Sequence, residues 1–223
     1  MLRHQRDSAI HCIVRSPLVL SIVVLCGALA LSAKDFEMPK AEPASSYPAH
    51  EVHPMEHVGV GVDAYTGDKQ SVFKSKFDEH GILPLFIVFS NDSDQPIALT
   101  DMQVQLVTVD RHARIEPANE DDLYRRLSRV ERRVDGTETR IPLPIPRKPK
   151  AGINKNTREE IETAQFRARA VEPHSSQSGF LFFDVSGIQQ PLAGGKLYIT
   201  GVKDGNGQEL MYFEIPLDNA AVK

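Results

Sequence analysis

Residues 82–90 read ILPLFIVFS, an almost wholly apolar run rich in β-branched and aromatic side chains. Such a run suits a central strand, and the polar stretch that follows, residues 91–96 (NDSDQP), supplies its turn. Other strand signals surround it. Val58, Val60, Val62 and Ala64 alternate with Gly59, Gly61 and Asp63, the period-two pattern of a strand with one buried face. The glycines there let another backbone approach closely or mark a bulge. Met102, Val104 and Leu106 alternate with Gln103, Gln105 and Val107. Residues 179–185 (GFLFFDV), 196–202 (KLYITGV) and 209–215 (ELMYFEI) add three more strands, and residues 72–77 a weaker one. Residues 204–207 (DGNG) join the last two strands as a hairpin, because these residue types tolerate the positive φ of a tight turn. About seven short strands with turn signals between them predict a mainly β chain, an immunoglobulin-like antiparallel β-sandwich.

The middle of the chain has a different period. Asn119 ahead of Glu120, Asp121 and Asp122 predicts an N-cap and an acidic first turn. Leu123, Leu127, Val130 and Val134 then share one helical stripe, with Arg125, Arg126, Arg129, Arg132 and Arg133 off it and Gly136 as a stop. Residues 141–150 (IPLPIPRKPK) predict extended, polyproline-like chain, since proline fixes φ and cannot donate a hydrogen bond. Asn156, with Glu159 three residues on, predicts the cap of a second helix covering Ile161 and Ala164. The sandwich is therefore expected over residues 56–217, with a basic, helical and proline-rich insert at about 119–170 and a tail at 218–223.

The N-terminus reads as an address. Arg3, Arg6 and Arg15 against a single Asp7 precede an uncharged apolar run over residues 18–33, the layout of a secretory signal peptide, with cleavage expected after Ala30 or Ala33. An uncleaved membrane anchor is the alternative, although a spanning helix needs ~20 apolar residues. Residues 1–33 are thus read as a signal peptide. Residues 34–55, rich in Pro, Ala, Ser and Glu, are read as a disordered tether. Both cysteines, Cys12 and Cys26, lie in the leader, so the rest of the chain can form no disulfide and no thiolate site.

Charge divides the chain. Residues 1–33 hold three of the 26 basic and one of the 30 acidic residues, which leaves −6 on the remainder. Between Arg125 and Ala170 thirteen basic residues stand against six acidic ones, +7, so the remainder outside that stretch carries −13. A basic insert on an acidic body is dipolar.

Two stretches carry a family likeness: residues 86–97, an apolar strand entering an N-D-x-D-x-P-I turn, and residues 171–185, where P-x-S is followed by G-x-x-x-F-D-V. Together they resemble the telokin-like, immunoglobulin-like domain of secreted bacterial antigens and lipoproteins. The resemblance implies an extracellular interaction role, and its motifs are structural rather than chemical.

Candidate chemistry is sparse. His50, His53 and His57, with Glu51 and Glu56 among them, form the densest set of metal donors, since neutral imidazoles suit zinc or copper. The competing reading is a polar tether with solvated histidines. Ser175 beside His174 lacks the glycine-flanked elbow of a hydrolase, and triad members meet through the fold rather than side by side. Tyr124 and Phe166 are the only aromatics in the basic stretch, which argues against nucleic acid.

The sequence therefore predicts a non-enzymatic interaction module of the cell envelope, periplasmic or extracellular, with no cofactor. Its partner is an unknown protein or an anionic envelope component, and it meets the membrane only through an uncleaved leader. A periplasmic metal-binding protein using the His50, His53 and His57 cluster is the alternative.

Overall fold

The computed structural model describes residues 36–131 and 153–221. Ten strands lie among them: β1 (Ala49–His53), β2 (Val58–Ala64), β3 (Ile82–Asn91), β4 (Ile97–Ala98), β5 (Gln103–Val107), β6 (Arg114–Ile115), β7 (Ala170–Val171), β8 (Ser175–Asp184), β9 (Lys196–Thr200) and β10 (Phe213–Pro216). The helices are α1 (Glu120–Glu131) and α2 (Lys155–Ala164). One sheet runs β1-β2-β3-β8 and another β10-β9-β5-β6, and β4 pairs with β7. Every strand pairing is antiparallel. The molecule is mainly β, as its sequence predicts.

The two four-stranded sheets share a core. Val58, Val60 and Val62 from β2, and Leu83, Leu85, Ile87 and Phe89 from β3, meet Val104, Leu106, Leu197, Ile199, Phe213 and Ile215 of the opposite sheet. All ten residues of β3 are buried, which explains why its sequence does not alternate. Its other face, Ile82, Phe86 and Val88, belongs to a second core with Phe73, Phe77, Phe180 and Phe182, and α1 and α2 cover it with Leu123, Leu127, Ile161 and Ala164. Several of the rings meet edge to face, with Phe73 and Tyr65 each 4.8 Å from Phe180, a geometry that aromatic quadrupoles favour.

Several expectations change here. The tether expected over residues 34–55 is packed from Phe36 onward: Phe36, Met38 and Tyr47 lie against the aromatic core, and Ala49–His53 forms the edge strand β1. The glycines of β2 make room for this strap, since a Cβ on Gly61 would sit 2.5 Å from the Tyr47 ring and 2.7 Å from the Ala44 carbonyl oxygen. The tail at 218–221 is held too, because Ala64 N–H donates to Ala220 O at 2.8 Å and Ala220 is buried. Residues 72–77 form no strand; the chain there ends a 3₁₀ turn (Gly67–Val72) and buries Phe73 and Phe77.

The two helices of the insert dock on the sheet. Asn119 caps α1 as expected, its Oδ1 accepting from Asp122 N at 2.9 Å. Asn154 rather than Asn156 caps α2, accepting from Asn156 N. Buried Glu160 anchors α2 by accepting hydrogen bonds from Lys74 N, Ser75 N and Ser75 Oγ. The signal segment at 1–33 and the proline-rich residues 141–150 lie outside the described residues. Among the described residues no helix is long and apolar enough to cross a membrane.

Candidate functional site: a groove between turns at one end of the sheets

The three candidate metal ligands do not come together. His50 and His53 are three residues apart on one strand, and neighbours at odd spacing project to opposite faces. His50 is exposed, its Nδ1 2.6 Å from Tyr47 O. His53 turns inward and is only 9% exposed; its ring stacks on Phe213 with centroids 4.1 Å apart, and its Nε2 lies 3.5 Å from Glu51 Oε1. His57 sits in the β1–β2 turn at φ 56°. Among the described residues no group of three or more His, Cys, Asp or Glu side chains is arranged to hold a metal ion. Strand geometry overrides the closeness in sequence that suggested one.

His57 instead helps to line a groove of about 350 Å³. Three turns converge on it: Met55, Glu56 and His57 from β1–β2, Ser93 to Ile97 after β3, and Asp204 with Gly205 from the β9–β10 hairpin. Val58, Pro96, Ile97 and Leu210 are its apolar lining, and Glu56, Asp94 and Asp204 its acidic lining, with no lysine or arginine among the lining residues. Met55 stands 90% exposed beside it.

Asn91, at the end of β3 and fully buried, holds this end together. Its Nδ2 donates to Gln95 O at 2.7 Å, Val171 O at 3.1 Å and Glu172 O at 3.2 Å. Its Oδ1 accepts from Ser93 N and Ser93 Oγ. One side chain thus ties the β3–β4 turn to the segment that leads into β8. A second link joins the same two stretches at the surface, where His174 Nε2 lies 3.0 Å from Asp94 Oδ1. His174, like His57, has positive φ (51°), a conformation that most residues with a Cβ avoid. In the hairpin, hydrogen bonds from the backbone N–H of Gln208, and next of Asn206, hold the Asp204 carboxyl below the usual carboxylate range.

The serine beside His174 faces elsewhere. Ser175 Oγ donates to Glu172 O at 2.7 Å, and His174 is directed to Asp94, so the two side chains are not partners. At the opposite end of β3 lies a cleft of about 470 Å³ lined by Ile82, Asn119, Asp122, Arg125, Arg126 and Asp184 among others. Both of its arginines are paired: Arg125 with Asp122 and Arg126 with Asp184.

Of the residues that build the groove, the sequence pointed to His57 for another purpose and to the Asn91–Pro96 and Asp204–Gly207 stretches as turns. It did not point to the reach of Asn91. The N-D-S-D run signals a turn, but a hydrogen bond to a residue 80 positions later leaves no local mark.

No family model matches the chain, and no curated protein matches it. A search of solved structures finds a conserved hypothetical protein from Bacillus anthracis, 14% identical, covering 82% of this chain and 92% of that one at a TM-score of 0.28. That likeness is too weak to carry over a fold or a function.

Proposed function

We propose that this protein is an exported, non-enzymatic interaction module of the cell envelope, of immunoglobulin type, whose contact surface is the turn-lined groove. The observation that carries the reading is the convergence of three turns on a groove with a mixed apolar and acidic lining, its β3–β4 turn braced by buried Asn91. Binding surfaces are commonly built this way, on turns held by a rigid sheet.

The strand order supports the immunoglobulin reading. The pairings β2–β3–β8 and β6–β5–β9–β10 follow the A–B–E and C′–C–F–G orders of that fold. The turn after β3 and the β9–β10 hairpin then stand where variable domains carry their B–C and F–G recognition loops. The helical insert takes the place of strand D. The likeness of residues 86–97 and 171–185 to the telokin-like domains of secreted antigens points the same way, since Asn91 and the His174–Asp94 contact join these two stretches. Export is supported by the charged leader and apolar run of residues 1–33.

Two measurements test this reading. Mass analysis of the chain recovered from the envelope should find an N-terminus after Ala30 or Ala33, and an intact Met1 on a soluble cytoplasmic chain would contradict export. In a native envelope extract the protein should elute as a complex that Glu56→Lys/Asp94→Lys dissolves while the thermal midpoint holds. An elution position indifferent to that pair of changes would contradict the groove as the contact surface.

A further inference from the structure

We infer that the outer face of the β10-β9-β5 sheet binds an uncharged polysaccharide of the cell envelope through Tyr198 and Tyr212, neither of which lines the groove. The source of that glycan rests on the export reading; the face itself does not. Alternation sets which side chains stand there. Val104, Leu106, Leu197, Ile199, Phe213 and Ile215 belong to the shared core, so Gln103, Gln105, Tyr198 and Thr200 project outward. Tyr212 stands on the same side, because its ring stacks on Tyr198 with centroids 4.9 Å apart and planes 16° from parallel. The register gathers these groups, with Gln105 opposite Tyr198 and Gln103 opposite Thr200. Tyr212 is 44% exposed, Gln103 is exposed, and the other three are half-buried.

The occupant follows from what this face offers and lacks. Lys196 and Glu214 on it already pair with each other, and Arg114 stands at its margin on β6. What remains is phenol, amide and hydroxyl, with Val107 the one aliphatic side chain that β5 and β9 turn outward. A protein partner wants a desolvated apolar centre, and the patch is small for one. Two strand spacings by four residues of rise give roughly 10 Å by 13 Å, against the ~800 Å² that a stable protein interface takes from each partner. Nucleic acid wants a track of free cations. A sugar chain matches on every count. Its rings lay apolar C–H faces on tyrosine, and its hydroxyls both donate to and accept from glutamine amides, Thr200 and the phenols. The two tyrosines are already stacked on each other, so binding need not order them first.

Retention on glycan tests this. The probe is insoluble envelope glycan of the producing cell, boiled in detergent and digested with protease until no protein or lipid remains. The parent should co-sediment with it equally at ~50 mM and ~500 mM salt, because the contact is uncharged. Tyr212→Ala should weaken retention roughly tenfold, as loss of an aromatic anchor does, at an unchanged thermal midpoint. Tyr212→Phe keeps the ring and should keep most of the binding. Gln103→Ala/Gln105→Ala leaves the tyrosine stack in place and should still weaken retention, through lost hydrogen bonds. The chain has five tyrosines and no tryptophan. Soluble fragments of the same glycan should therefore change tyrosine emission in the parent, and far less in Tyr212→Ala.

No retention of the parent, equal retention of Tyr212→Ala, or loss of retention at high salt overturns the inference. So does a parent that self-associates through Tyr212 instead of holding glycan, which would make a second copy the occupant. The groove variant Glu56→Lys/Asp94→Lys should be retained like the parent. If that variant is not retained, the glycan sits in the groove and the inference falls. The N-terminal mass that tests export is a separate readout. Retention together with an intact Met1 on a soluble cytoplasmic chain would remove the envelope as the source while the face stands as a glycan site.

Discussion

Asn91 shows how much one buried polar side chain can organise. It ends a strand whose other residues are apolar except Ser90, where an amide without partners would be costly to bury. Its bonds to Gln95, Val171 and Glu172 carbonyls turn that cost into a brace between two segments 80 residues apart. Asn91→Ala should therefore lower stability by about 1–3 kcal/mol, the usual cost of stranding buried hydrogen-bonding groups. It should also raise hydrogen exchange in residues 92–96 and 172–175 ahead of the core strands. An unchanged thermal midpoint with unchanged exchange would remove Asn91 from the role given it here. Tyr65 offers a second test at this scale. Burial first, and the nearby Asp63 carboxylate next, push its phenol from the ordinary 10.0 up to about 12. The folded state thus holds this proton more tightly than the unfolded state does. Its contribution to stability is full below pH 10 and is lost as pH rises through about 12. In the ultraviolet phenolate titration, Tyr65→Phe should remove a late-ionising component; removal of an ordinary one would contradict the burial argument.

The elements differ in how legibly they were written. The core strand β3 was plain in ILPLFIVFS, and its ten buried residues account for the missing alternation, since each face has its own core. Strand β1 was hidden because its partner β2 presents Gly59 and Gly61, so it needs no apolar face of its own toward the Tyr47 strap. Residues 72–77 misled because Phe73 and Phe77 are four apart and serve an aromatic cluster from a loop, not from a strand. Helix α1 was legible in its cap and in Leu123 and Leu127, both buried against the sheet. Leu127→Asp should bury an unpaired charge and release the helix, measured as faster hydrogen exchange over Glu120–Glu131 and a lower denaturation midpoint. Arg125→Ala should stay within about ±0.5 kcal/mol, because its partner is the exposed Asp122. Equal exchange in parent and Leu127→Asp would show that the stripe holds nothing.

For the molecule as a whole, the sheets were readable from periodicity, while the groove was not. It arises from turns that are distant in sequence and that only strand pairing gathers at one end. The histidines illustrate the same limit: residues 50, 53 and 57 look like one donor set until a strand sends two of them to opposite faces. What the sequence does fix in charge is its division along the chain, +7 between Arg125 and Ala170 against −13 on the remainder after residue 33. The most direct test sets a photoreactive residue at Met55, beside the groove, and in a second variant at Val109, 58% exposed beyond the end of β5 that lies away from the groove. On illumination in the producing cell, the Met55 variant should yield a discrete crosslinked adduct and the Val109 variant none. Adducts at Val109 alone, or equally at both positions, would contradict the groove as the contact surface.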